Sequence, residues 1–324
     1  MRSNAVHSEE LKNTLGLAIQ IGKLASDQSV LKFFELIDFE QIRDIHDLTQ
    51  MVNRHGLLKE KISENDLLIA NAELESHHSH GVEPIPYGSE YYPLSLACIP
   101  NPPAMLYVKG GRDILTELPG VAIVGSRDIS PAGEEITRRI TNQIVAAGYI
   151  VVSGLAIGTD ANAHKAALQA KGKTIAVLAH GLEEAKPKQN SRLAQEILEK
   201  GGAWISEYPI GRPAQKQSFV QRNRIQVGLS AGSILIEAAL NSGTMTQADF
   251  ANKAKRPVFA VVPHLPGNPL NLNCEGTLDL VKNNMARPLK TKGDYEGVIM
   301  IINESRDLLL ELKKPQKQNI LNLL

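Results

Sequence analysis

VAIVGSRDISPAGEEITRRITNQIVAAGYIVVSG, residues 121–154, decides the fold. It opens on an apolar run, Val121–Val124, and turns at Gly125-Ser126-Arg127 into an amphipathic helical pattern. Ser130 stands where an N-cap belongs, Pro131 suits the first turn, and Gly148 suits the C′ stop. YIVVSG is then a second apolar run. Outward from this unit the beat continues: TDANAHKAALQAKG as helix, KTIAVLAHG as strand, NSRLAQEILEKGG as helix, AWISEY as strand. SILIEAA, TMTQADFANKAKR and PVFAVV complete it as strand, helix and strand. Strands that are apolar throughout and alternate with helices predict a parallel sheet covered on both faces. The expected fold class is therefore α/β, a doubly wound and mostly parallel sheet.

Upstream the texture changes. From Ser8 to about Leu74 apolar residues recur at three- and four-residue spacing without proline, which predicts a small all-α N-terminal domain of three or four helices over residues 1–80. SHHSHGVEPIPYGSEYYP then reads as a linker or extended surface segment. Its histidines, His77, His78 and His80, share no helix face and lack Cys or carboxylate companions, so a polar loop is favoured over a metal site. The sheet domain is expected over 81–291, and a short tail without a winged helix over 292–324. In the tail VIMIINE reads as a strand, and SRDLLLELKK with NILNLL as a helix that packs on the body or on a partner.

Composition narrows the function classes. With 324 residues the chain can hold a large core and a satellite; hydrophobic content of 43% and charged content of 22% are ordinary for a globular protein. Lys+Arg and Asp+Glu both number 35, so no whole-molecule field draws nucleic acid and an anion site must be a local patch. Aromatics at 4% argue against base stacking as the main binding device. Cys98 and Cys274 offer neither zinc spacing nor a disulfide framework. With no apolar leader after Met1 and no run of about 20 apolar residues, a cytoplasmic protein without a membrane span is expected.

Ligands of open α/β sheets bind beyond the carboxyl ends of the strands, and five loops collect there. In FVQRNR, Phe219–Arg224, Arg222 and Arg224 flank Asn223; the following apolar run, Ile234–Ala239, ends in Ser242-Gly243-Thr244 at the start of a helix. Guanidinium forks beside a helix N-terminus suit a phosphate. Gly125, Ser126 and Arg127 repeat the pairing of turn and cation, although no G-x-G-x-x-G dinucleotide fingerprint is present. Ser153 and Gly154 open a further loop that leads to Asp160 and His164. These read as a helix cap and a locally bonded histidine in preference to a general base and its neighbour. The last loop carries Lys188 and Asn190, the asparagine as a cap. From Lys186 to Arg224 eight Lys/Arg face three Glu, a basic strip in a neutral chain. Glu237 either faces the rim or is a satisfied buried acid. No catalytic triad, metal cluster or carboxylate pair stands out, so neither enzymatic chemistry nor a cofactor is expected.

In series these loops resemble the DNA-processing protein A family (DprA, also called Smf). The motifs are VGSR from Val124, SGLAIGTDANAH from Ser153, GLEEAKPKQN from Gly181, SEYP from Ser206, FVQRNRI from Phe219 and EAALNSGT from Glu237. YYPLSLACIPNPPAMLYVKG upstream looks like the family's lead-in. The resemblance spans about Gly81 to Pro263, with Ile157, Lys186, Val220 and Leu278 departing from the family pattern. It implies a Rossmann-like domain that binds single-stranded DNA, dimerises, and protects and loads strands with a RecA-type recombinase during DNA uptake and recombination. It also implies that Arg127 belongs to a phosphate-gripping turn, that Lys188 lies in a matching binding loop, that Arg222 and Arg224 are the family's RNR arginines, and that Ser242, Gly243 and Thr244 form its SGT turn. The competing reading gives the same rim to a small nucleotide, as a sensor or a nucleoside-monophosphate-cleaving enzyme. A third makes the chain an adaptor whose leucine-rich tail recruits a partner.

Overall fold

The computed structural model describes residues 2–312. Nine strands form one sheet: β1 (Val82–Pro86), β2 (Met105–Lys109), β3 (Gly120–Val124), β4 (Val151–Ser153), β5 (Thr174–Val177), β6 (Ala203–Ser206), β7 (Ser230–Leu235), β8 (Val258–Val261) and β9 (Arg287–Leu289). Their order is β1-β2-β6-β5-β4-β3-β7-β8-β9, antiparallel at the β1–β2 and β2–β6 pairs and parallel from β6 to β9. The doubly wound, mostly parallel α/β sheet is as the sequence predicts. The chain winds outward from β3 to β6, then returns to the other side of β3 with β7. The switch point therefore lies between β3 and β7.

Among the described residues the sheet is joined by twelve α-helices: α1 (Arg2–Gly22), α2 (Asp27–Leu36), α3 (Ile45–His55), α4 (Glu64–Ser79), α5 (Leu94–Ala97), α6 (Pro131–Ala146), α7 (Thr159–Gln169), α8 (Ser191–Glu199), α9 (Lys216–Gly228), α10 (Gly243–Lys253), α11 (Glu275–Lys282) and α12 (Tyr295–Leu310). Alternation along each strand sends side chains to two cores. One sheet face carries Val121, Ile123, Val151, Ile234 and Phe259 under α6, α7 and α12, and continues through Met105, Tyr107, Ala176 and Trp204 under α1–α4 and α8. The other face carries Val124, Val152, Ile175, Val177 and Leu235 against α5, α9, α10 and α11. At roughly 1.5–3 kcal/mol per fully buried aliphatic side chain, these layers supply the main stabilisation.

Several expectations fail for local reasons. The segment from Ser76 to Pro93 is not a linker: its first residues finish α4, and Val82–Pro86 pairs with β2 as an edge strand. Its prolines sit where an edge tolerates missing donors. His77 is buried, with Nδ1 2.7 Å from the Glu73 carbonyl and Nε2 accepting from the Ile210 amide at 3.0 Å; burial lowers its pKa. It joins α4 to the loop after β6, and no metal-binding cluster exists among the described residues. VIMIINE is helical, not a strand. Val298, Ile302, Ser305 and Leu309 line one face of α12, where the three apolar residues are buried and Ser305 donates to the Ala231 carbonyl at 2.7 Å. The β-branched composition suggested a strand, but the three- and four-residue spacing decided. NILNLL lies outside the described residues. β1 (VEPIP) and β9 (RPL) escaped the sequence reading because each is short and carries proline and a charged residue, and β2 (MLYVK) because it stands outside the strand–helix alternation. No helix among the described residues is long and apolar enough to cross a membrane.

Candidate functional site

The carboxyl ends of β3 and β7 meet at the switch point, and a cavity of about 370 Å³ opens there. Gly125, Ser126 and Arg127 form one wall; Ser242, Gly243 and Thr244, at the start of α10, form another; Phe219, Arg222, Asn223 and Gln226 of α9 form a third. Asp160 of α7 closes the floor.

Close packing shapes the first wall. A Cβ on Gly125 would fall 2.6 Å from the Thr159 hydroxyl, and one on Gly158 would fall on the Ser126 carbonyl. Thr159 donates to that same carbonyl from its amide at 3.0 Å and its hydroxyl at 3.1 Å. The turn is thus locked onto the N-terminus of α7. Ser126 uses its hydroxyl to accept from the Asp128 amide (3.0 Å) and donate to the Asp128 carbonyl (2.9 Å). Arg127 remains exposed, its guanidinium 5.8 Å from the centre of the Phe219 ring. It is the exposed cation at the mouth.

The second wall is a helix start. Ser242 occupies the N-cap position without making a side-chain cap bond, so its hydroxyl stays unengaged among the described residues. The first amides of α10 have no acceptor within the helix and carry the positive end of its dipole.

FVQRNR is helical, not a rim loop, and three consecutive residues point three ways, about 100° apart. Arg222, 7% exposed, donates to the Val177 carbonyl at 3.2 Å and faces Asp160. Its guanidinium lies where a Cβ on Gly154 would be, so that glycine makes room for the arginine. The Gln226 amide, oriented to suit its neighbours, accepts from the Gly154 amide (3.0 Å) and Arg222 Nη1 (3.1 Å) and donates to Asn223 Oδ1 (3.1 Å). Asn223 also donates to the Gly243 carbonyl (3.1 Å) and to Thr246 Oγ1 (3.0 Å), docking α10 onto α9. Arg224 points away from the cavity, to Glu207 and Asp27. Its expected place in the pocket is corrected by helical phase.

Burial raises the Asp160 pKa, with Arg222 and the Ala156 amide opposing; burial lowers that of Arg222, with Asp160 opposing. The two charges hold each other in place. Asp160 is not the helix cap, since Gly158 holds that position. His164 is core: Nδ1 lies 2.7 Å from Thr174 Oγ1, and burial followed by the charge of Arg222 pushes its pKa down to about 3, leaving it neutral. Ser153 is buried and donates to the Ile123 carbonyl at 2.7 Å, tying β4 to β3. Asn190 makes no cap bond; it donates to the Leu155 carbonyl at 2.8 Å, pinning a buried leucine held at φ +65°. Lys188, two residues earlier, is exposed on the same rim but outside the cavity wall. Glu237 is the satisfied acid. It accepts from the Ser130 amide (2.9 Å) and hydroxyl (2.7 Å) and from the Asn273 amide (2.9 Å). Phe219 and Gln226 line the cavity and were not singled out from sequence; only their spacing from Arg222 on one helix signals them.

Comparison with known proteins gives this geometry a context. The family model described as DNA recombination-mediator protein A matches residues 83–297. The chain is 37% identical over 232 residues to Protein Smf of Synechocystis sp., covering 71% of this chain and 57% of that protein, so it spans little more than half of that relative's length. Among solved structures, DNA processing protein A (DprA) from Streptococcus pneumoniae aligns with a TM-score of 0.65 at 29% identity, covering 94% of this chain and 97% of that one. DNA processing protein A from Helicobacter pylori, described for its single-stranded DNA binding mode, aligns with a TM-score of 0.60 at 28% identity, covering 69% and 97%.

Proposed function

The chain belongs to the family of DNA recombination-mediator protein A, and from that premise we propose that its switch-point cavity grips single-stranded DNA by the phosphate backbone. One observation carries the reading: the free amides of α10, the exposed guanidinium of Arg127 and the buried guanidinium of Arg222 converge on a single cavity. Phosphodiester oxygens accept from the Gly243 and Thr244 amides, while Arg127 closes over the strand from the mouth. The similarity to a protein with a single-stranded DNA binding mode supports the same ligand here. With a sequence pI near 7.1 the attraction is local, so binding is salt-sensitive and largely indifferent to sequence.

The rest of the proposal, a cytoplasmic homodimer that protects strands and passes them to a RecA-type recombinase, rests on family membership. No catalytic step is assigned. Glu237 spends its oxygens on three donors, and Asp160 faces Arg222. A second reading, a single bound nucleotide, draws on the cavity's volume, which falls in the range of small-ligand sites, about 300–1,000 Å³.

Fluorescence anisotropy with labelled oligo-dT across a salt series, with a mononucleotide as competitor, tests both. The expected result is tight binding at low salt that weakens as salt rises. In Arg127→Ala affinity falls by roughly tenfold and the log–log slope shrinks by about 0.7, one phosphate contact. Displacement by equimolar mononucleotide supports the second reading. No binding at low salt overturns the first.

A further inference from the structure

We propose that Arg224 is a positioning residue: it anchors α9 to the N-terminal helices and thereby sets where Arg222 stands in the cavity. Arg224 is 7% exposed, and its Nη2 lies 2.5 Å from Glu207 Oε2 and 3.8 Å from Asp27 Oδ2. Glu207 follows β6 directly, and Asp27 is the first residue of α2. The Glu207 carbonyl accepts from Gln20 Nε2 of α1 at 3.3 Å, and Gln20 Oε1 accepts from the Tyr107 hydroxyl of β2 at 2.8 Å. One guanidinium thus joins α9, the end of β6 and the entry to α2, with α1 and β2 bound to the same point.

Helical geometry makes this anchor matter for the cavity. Arg222 and Arg224 leave α9 about 200° apart, so a roll of the helix that releases one swings the other. Arg222 has no slack, because its guanidinium fills the space that Gly154 leaves open. Asn223 lies between them and carries the N-terminus of α10. Loss of the anchor therefore moves both the buried cation and the amide cradle, although Arg224 never touches the ligand.

The inference rests on the single-stranded DNA reading for its affinity readout, and sign separates the outcomes. If Arg224 contacted phosphate directly, Glu207→Gln would free positive charge and tighten binding, and Arg224→Ala would lower the salt slope by about 0.7. As a positioning residue it gives the opposite pattern. Glu207→Gln and Arg224→Ala both weaken oligo-dT binding about three- to tenfold with the slope unchanged, whereas Arg127→Ala lowers the slope. Tighter binding by Glu207→Gln, or a reduced slope in Arg224→Ala, overturns the assignment and leaves the functional reading intact. Glu207→Gln also serves if Arg224→Ala fails to fold. Hydrogen exchange without DNA reads the same displacement: amides of residues 222–226 and 243–246 exchange faster in Glu207→Gln than in the wild type. Unchanged protection there overturns the proposal even if the wild type binds no DNA.

Discussion

Two regions of this molecule each bury an arginine against carboxylate, and they do different things with it. At the switch point, Arg222 faces one acid, Asp160, beside an exposed second cation, Arg127, and the open amides of α10. At the junction with the N-terminal helices, Arg224 faces two acids, Glu207 and Asp27. The first region has a surplus of positive charge and an empty volume next to it, so it can take an anion from solvent. The second has a surplus of negative charge, and the cavity beside Arg224 is only about 90 Å³, well below the size of a small-ligand site, about 300–1,000 Å³, so it holds its own parts together. Residue type and burial are the same in both. Local charge balance and adjoining space separate a binding site from a brace.

The contrast breaks most severely if the space for Arg222 is removed. Gly154→Ala places a methyl group directly on the guanidinium of Arg222, which is itself buried. Arg222 must leave the cavity floor or the 153–158 loop must shift, and Asp160 loses its partner. Oligo-dT affinity is expected to fall by a hundredfold or more. Stability should drop by roughly 3 kcal/mol, as when one partner is taken from a buried ion pair, measured by urea denaturation. Near-wild-type binding by Gly154→Ala would show that Arg222 belongs with the brace.

A smaller effect is expected from Asn223→Ala, which spares both arginines. It removes the bonds to the Gly243 carbonyl and Thr246 hydroxyl, at a cost of about 1–2 kcal/mol. Freed from α9, the start of α10 should lose part of its hold on phosphate. A severalfold loss of affinity with an unchanged salt slope is expected in the same titration. A lowered slope would mean that Asn223 reaches the strand itself.

Much of the rim was legible in the sequence because βα turns carry local signals. Gly125-Ser126-Arg127 and Ser242-Gly243-Thr244 follow apolar strands, and both line the cavity. What the sequence hid was phase. Read as a loop, FVQRNR offers all its side chains to one rim; wound as α9, it divides them between cavity, α10 and junction. Asn190 and Ser153 deceived in another way: both lie on the rim's loops, yet both spend their side chains on backbone carbonyls. Non-local pairing was invisible as well. Glu207 and Asp27 lie 17 and 197 positions from Arg224, and no local pattern joins them. The same limit hid β1 and β9, whose strand character comes from the neighbour they pair with.

The mildest test of the contrast is titration of the junction. Burial first, and then the charge of Glu207, push the Asp27 carboxyl up to about 6 against the pull of Arg224, from 3.8 in an unperturbed chain. A raised carboxyl pKa means that the folded state holds the proton more tightly than the unfolded one. The contribution of Asp27 is therefore fully present below about pH 4 and is lost as pH rises through 6. Asp27→Asn removes that loss: its stability should match the wild type near pH 4, and exceed it increasingly up to about pH 6 and by a constant amount above. At face value the rise corresponds to roughly 3 kcal/mol. The side chain is 34% exposed, however, and solvent screening brings the expectation to about 1 kcal/mol. Thermal midpoints of the two proteins from pH 4 to 8 measure it. Neutralising an acid at the switch point should do the reverse, since Asp160 is the only carboxylate facing Arg222 there among the described residues. If Asp27→Asn is instead destabilising at pH 7, the junction is not over-supplied with negative charge, and the distinction between brace and binding site must rest on open space alone.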